Sequence, residues 1–191
     1  MGSGAPQRWS SFRAGGAQQD AHEFVLKLLD LLSTSATRKA YFAEYAEYRT
    51  CPCGWVSTSV IAEPVLQLSL PQSARAEHEF DVQALLDAHL AEEELSEFAC
   101  GRQPALVAAC AARKARKRSA WVSAPRTLVL HAARFRAGRK LHSRLANGVT
   151  LVLVTSDGAR TYDLEAVVEH RGPYGSGRYM CHARCAPGAG W

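Results

Sequence analysis

Gln18-Gln19-Asp20-Ala21-His22-Glu23-Phe24 opens the strongest structural signal in the chain, a helix around which the rest must be arranged. Asp20 stands three residues before Glu23, the spacing of a capping box with Asp in the Ser/Thr place. Ala21, Phe24, Val25, Leu28, Leu29 and Leu32 then recur at helical intervals and share one face. The pattern predicts a helix over residues 20–32, buried along that face and ended by Ser33-Thr34-Ser35. Residues 1–16, rich in Gly, Ser, Ala and Gln, are expected to form a flexible N-terminal segment.

Downstream, the periodicity changes. Cys51-Pro52-Cys53-Gly54 reads as a tight turn, and residues 57–61 and 65–70 as strands, with Pro71 stopping the second. Residues 82–90 read as a short helix with Val82, Leu85, Leu86 and Leu90 on one side. A second cysteine region covers residues 100–110. Residues 127–135, 150–155, 162–170 and 179–184 are the remaining strand candidates. Asp157-Gly158 is a turn signal, and residues 172–177 form a Gly-rich connection. One helix, then paired cysteines, then mostly strands indicates an α+β fold.

The 191 residues suffice for one domain with a real core, or a large piece of a bigger one. No apolar run approaches the roughly 18 to 20 residues of a membrane span, so no membrane partner is expected. No secretory signal pattern is visible, and the six cysteines read as thiols or metal ligands, which places the chain in cytoplasm or nucleus. The formal charge is 23 − 18 = +5, much of it in residues 113–118. That run has no interleaved aromatics to stack bases, so it reads as a solvated hairpin or helix end rather than a specific nucleic-acid site.

Several blocks, in order, resemble the ubiquitin-specific protease (USP) family of deubiquitinating cysteine peptidases. The Gln18-Gln19-Asp20 stretch is similar to a signature block of that family. Arg49-Thr50-Cys51-Pro52-Cys53-Gly54 resembles the first zinc knuckle of its fingers, and Phe98-Ala99-Cys100 the approach to the second. Ala124-Pro125-Arg126-Thr127-Leu128-Val129-Leu130-His131 looks like a palm strand. Residues 162–172, with Ser176-Gly177-Arg178-Tyr179, look like the histidine box. The resemblance implies a papain-like hand: partial thumb, zinc-knuckle fingers over about residues 49–115, and an antiparallel β palm over about residues 120–191, together a partial USP-like domain over 17–191.

The family activity is cysteine-type hydrolysis of the isopeptide bond after the C-terminal glycine of ubiquitin. Such chemistry needs a thiolate, a histidine to take its proton and a group orienting that histidine. The family's cysteine lies well upstream of the Gln-Gln-Asp block, and the 17 residues before Gln18 hold none. Arg178 stands at the histidine position, and a guanidinium cannot act as a base near neutral pH. His182 is four residues on, about 13 Å along a strand, and His170 matches a different family position. Trp191 resembles the tryptophan that precedes the third triad member. Cys181 and Cys185 read as buried or incidental thiols. The expectation is therefore a catalytically inactive, ubiquitin-binding module. The alternatives are a fragment of an active ubiquitinyl hydrolase whose cysteine segment is missing here, and a zinc-stabilised scaffold without ubiquitin affinity.

The resemblance also implies where ubiquitin's tail would lie. Asp20 would offer a carboxylate to a tail arginine, and Gln18 and Gln19 amide hydrogen bonds. Gly172, Ser176, Gly177 and Tyr179 match positions beside the tail channel. For zinc, the family uses two Cys-x-x-Cys pairs. Here the first is Cys51 and Cys53, one residue short, and Gln103 stands where the partner of Cys100 is expected. Cys110 would have to complete the set, with the intervening segment looped out.

Overall fold

The computed structural model describes residues 20–71, 76–101, 110–136, 138–146, 150–173 and 176–185. Residues 1–16, Gln18, Gln19, Gln103 and Trp191, which carried expectations, lie outside them. The first helix, α1 (Ala21–Leu31), starts where the capping pattern put it. The Asp20 carboxylate accepts the N–H of His22 at 2.7 Å and that of Glu23 at 3.4 Å. Glu23 itself pairs with Lys27 one turn on, at 2.7 Å.

The apolar face of this helix is covered only in part. Leu29 is buried, but Phe24 is 42% and Leu32 53% exposed. Among the described elements none packs extensively along that face. A second helix, α2 (Ser35–Tyr41), follows at once and was not expected. The Ser-Thr-Ser stretch that ends α1 also starts α2, because the Thr34 hydroxyl accepts the Thr37 N–H at 3.1 Å.

The chain then runs through β1 (Ala43–Thr50), β2 (Val56–Glu63), β3 (Leu66–Ser69) and β4 (Glu79–Asp81) into α3 (Val82–His89). Next come β5 (Glu93–Leu95), β6 (Ala115–Ser123), β7 (Leu130–Ala133), β8 (Phe135–Arg136) and β9 (Arg139–Lys140). The described strands end with β10 (Arg144–Ala146), β11 (Thr150–Thr155), β12 (Gly158–Asp163), β13 (Ala166–Arg171) and β14 (Arg178–Ala183). The α+β expectation is borne out. No helix among the described residues is long and apolar enough to cross a membrane.

The largest sheet has the order β2-β1-β6-β5, antiparallel throughout. The pairs β11–β12 and β13–β14 are antiparallel hairpins. Two parallel pairings, β3 with β7 and β4 with β10, add to the antiparallel palm that was expected. The strand expected over residues 127–135 begins only at Leu130, because Thr127 N–H turns to the Ala40 carbonyl at 2.9 Å. Residues 162–170 divide between β12 and β13, each pairing with a different neighbour. Alternating polarity does not reveal such a break.

Basic residues 113–118, expected at a hairpin or helix end, lie largely on β6. Their charge is matched locally. Lys117 Nζ lies 2.6 Å from Glu93 and 3.5 Å from Glu47, Lys114 2.6 Å from Glu94, and Arg116 3.8 Å from Glu92. Arg118 sits over the Tyr48 ring at 5.5 Å.

The core gathers where α3 covers the strands. Leu66 and Leu68 of β3, Leu86 of α3 and Leu153 of β11 are buried with Ala43, Tyr45 and Trp121. Tyr45 meets Trp121 edge-on at 5.7 Å, and its hydroxyl donates to Glu63 at 3.1 Å. Burial, aided by Glu63, pushes that hydroxyl up to about 12. Leu86 is fully buried. Leu86→Ala should lower the unfolding free energy by about 2–5 kcal/mol, measured by chemical denaturation, while Val60→Thr on the exposed face of β2 should change it little.

Candidate functional site

Two centres stand apart in the fold. The first is metallic in character. Strand order β2-β1-β6-β5 sets the β1–β2 loop beside the segment joining β5 to β6, since Thr50 pairs with both Val56 and Arg116. In the first loop, Cys51 N–H donates to the Trp55 carbonyl at 2.8 Å and Gly54 N–H to the Cys51 carbonyl at 2.9 Å. Gly54 takes a φ of +84°, which favours glycine. In the second segment, Phe98 N–H donates to the Arg113 carbonyl at 2.7 Å and draws its arms together. Trp55 lies so close over Gly101 that a Cβ there would meet its ring at 2.8 Å.

The four sulfurs of Cys51, Cys53, Cys100 and Cys110 lie within 4.8 Å of one another. Cys51 and Cys110 are 3.6 Å apart, and Cys53 and Cys100 3.8 Å. A tetrahedral ZnS4 site has zinc–sulfur bonds of about 2.3 Å, hence sulfur–sulfur edges of about 3.8 Å. The donor set therefore fits a structural zinc ion, despite the shortened first pair. Cys51 and Cys53 are pushed in opposite directions. The Trp55 backbone N–H, with Cys51, brings Cys53 down to about 6. The Cys53 backbone N–H lowers Cys51, but burial and the neighbouring sulfurs outweigh it and push Cys51 up to about 12. A bound cation favours the thiolate at every ligand and would remove this conflict.

The second centre joins the start of α1 to the β13–β14 hairpin. Burial raises the Tyr179 hydroxyl, the Ala21 backbone N–H opposes the rise, and the Asp20 carboxylate adds to it. The fold thus brings Asp20 and Tyr179 together from opposite ends of the chain. His22 stacks on His131 of β7 at 4.0 Å with the rings 10° apart. No local pattern in the sequence signals this contact between α1 and β7. Burial lowers His131, His22 adds to the fall, and Asp20 opposes it.

Gly172 and Gly177 close the hairpin with φ of +124° and +134°. A Cβ on Gly172 would lie 2.7 Å from Gly177 Cα, and one on Gly177 would collide with the Arg171 carbonyl. Neither position accepts a side chain. Ser176 is exposed beside them, its N–H near the Pro173 carbonyl at 3.4 Å. Lys140, also missed in sequence reading as a site residue, ties this end down. Its ammonium donates to the carbonyls of His170 at 2.6 Å and Gly172 at 3.1 Å, and reaches His170 Nδ1 at 3.2 Å. An ammonium only donates, so Nδ1 accepts and the ring proton of neutral His170 sits on Nε2. Arg178 opens β14 directly opposite Arg171. His182 pairs instead with Val167, away from the glycines, with Nε2 3.9 Å from Glu169. Cys181 and Cys185 are free and exposed.

Each centre yields a test. The purified chain should carry about one zinc, and Cys53→Ser should lose it and lower the melting temperature, as should a strong chelator. The metal released is read with a chromogenic chelator. His131 favours its neutral form in the fold, so its contribution is fully present above the unfolded value of about 6.5 and is lost as pH falls below that value through the lower folded one. Unfolding free energy measured at about pH 7.5 and about pH 5.5 should decline, and His131→Gln should flatten that decline.

The family model described as ubiquitin carboxyl-terminal hydrolase matches residues 7–191. No curated protein sequence matches significantly. Among solved structures, the SAGA Ubp8/Sgf11/Sus1/Sgf73 DUB module bound to ubiquitin aldehyde is similar, with TM-score 0.73 and 21% identity over 93% of this chain and 45% of that one. The same module with a Cys-to-Ala Ubp8, bound to monoubiquitin, gives TM-score 0.70 and 22% identity over 94% of this chain and 44% of that one. The chain thus spans less than half the length of these relatives, and at this identity they speak for the fold alone. With the family match running over nearly all of its length, the chain belongs to the ubiquitin carboxyl-terminal hydrolase family, in the ubiquitin-specific protease group that its sequence blocks resemble.

Proposed function

We propose that this chain is a ubiquitin-binding member of its family that holds the C-terminal tail of ubiquitin without hydrolysing the bond beyond it. The observation that carries this reading is Arg178. It stands where the family places its general base, and an arginine cannot take a proton from a thiol at neutral pH. The hairpin supplies no substitute there. His170 Nδ1 is engaged by Lys140, and His182 lies at the other end of β14.

The recognition side is better furnished. Asp20 stands at the start of α1, close to Tyr179, and Gly172 and Gly177 bring the two arms of the hairpin into close backbone contact. A carboxylate in this position suits an extended, arginine-bearing tail. In this reading Gln18, Gln19 and Asp20 contact the tail from one side, and Gly172, Ser176, Gly177 and Tyr179 from the other. The fingers correspond to about residues 49–115 and the palm to about 120–191, and the chain works in cytoplasm or nucleus. Both similar structures contain ubiquitin or its aldehyde, which supports ubiquitin as the partner.

A second reading makes the chain part of a longer thiol-dependent ubiquitinyl hydrolase, and the 45% share of the Ubp8 chain that it covers favours it. A ubiquitin C-terminal fluorogenic amide and a ubiquitin-vinyl electrophile separate the two. The binding-module reading expects neither turnover above blank nor an adduct. Asp20→Asn keeps a capping oxygen but removes the charge. It should weaken ubiquitin binding by about 1.5–3 kcal/mol, read from NMR shifts of labelled ubiquitin; unchanged binding would argue against tail contact at Asp20.

A further inference from the structure

Arg178 does more than fail to be a base. It lines, with Arg171, Gly172 and Gly177, a shallow cleft, wide open to solvent, at the end of the β13–β14 hairpin. The two arginines face each other in register across the hairpin. Like charges directly opposed on a strand pair cost stability. Arg171 is partly compensated, since its Nε donates to Glu169 at 2.9 Å. Arg178 is exposed, and among the described residues its guanidinium has no partner. The cleft is therefore left with uncompensated positive charge, held on strands and floored by two glycines that admit no Cβ.

We infer that this cleft is a receptor for a terminal carboxylate, so that the chain takes free ubiquitin, which ends in a glycine carboxylate, in preference to ubiquitin joined through an amide. The inference rests on the ubiquitin reading above and narrows it to one form of the partner. A guanidinium presents a planar fork of donors and no acceptor. A carboxylate answers that fork with two charged oxygens in matching geometry. A conjugated tail presents a neutral amide there, with a single carbonyl and an N–H that meets only donors. The mismatch penalises the conjugate as well as favouring the free end, which is how a site gains selectivity. The glycines contribute by letting an extended tail approach the strand backbone up to its last residue. Arg178 immediately precedes Tyr179, whose hydroxyl reaches the Ala21 N–H beside Asp20. Asp20, at the start of α1, thus approaches β14 at the residue next to Arg178, the two side chains of β14 leaving on alternate faces.

The test compares two ubiquitins, one with its natural C-terminal carboxylate and one with its terminal glycine amidated. Each is labelled with nitrogen-15 and titrated with the full chain. The carboxylate form should bind about tenfold to a hundredfold more tightly, the range expected for one charge-assisted contact. Arg178→Gln should abolish that difference by weakening the carboxylate form alone. Its unchanged binding of the amide form would show that the variant is folded. Equal affinity for the two forms, or a preference that survives Arg178→Gln, overturns the inference and leaves ubiquitin binding standing. Absence of shifts with either form overturns the ubiquitin reading, and this inference with it.

Discussion

The antiparallel pairing of β1 with β6 organises the molecule. It joins strands about seventy residues apart, with Tyr45 opposite Trp121 and Thr50 opposite Arg116. At one end it buries aromatic surface against Leu66, Leu68 and Leu86. At the other it brings the four cysteines to a common point. Such a long-range pairing forms only after a large loop has been closed. A metal that cross-links Cys51 and Cys53 to Cys100 and Cys110 would hold that closure from the far end, and the aromatic core holds it from the near end. The ion pairs of Glu47, Glu92, Glu93 and Glu94 with Lys114, Arg116 and Lys117 lie between them. Most are exposed, so they add specificity of register more than stability.

The functional end of the molecule is built differently. No single element forms it. The start of α1, the stacked His22 and His131, Lys140 and the β13–β14 hairpin each contribute a piece. Backbone is unusually prominent there. Lys140 is anchored by two carbonyls, and Gly172 and Gly177 meet with no room for side chains. A surface of that kind recognises an extended main chain more readily than a bulky side chain. Arg178 at its mouth changes the electrostatics from those of a titratable histidine to a permanent cation. In the reading proposed above, that one residue bears both on which reaction can occur and on which form of partner is favoured.

Local chemistry in the sequence determined the helix start at Asp20, the short helix over Val82–His89, the Cys51–Gly54 turn, the α+β class, and the family through its ordered blocks. Each depends on neighbours a few residues apart. The sequence also marked Arg178 as incompatible with proton abstraction, because side-chain chemistry alone decides that. Tertiary structure decided the rest. Whether a shortened Cys-x-Cys pair could still meet Cys100 and Cys110 depended on the β1–β6 register, which no local spacing encodes. The apolar stripe of α1 looked like core, yet what covers a helix face is a property of its neighbours, and Phe24 and Leu32 remain exposed. Residues 113–118 read as a solvated hairpin or helix end, whereas most of them lie on β6, where Lys117 meets carboxylates of both β5 and β1. His22, His131 and Lys140 gave no sign in the sequence, because each gains its role from a contact between segments far apart in the chain.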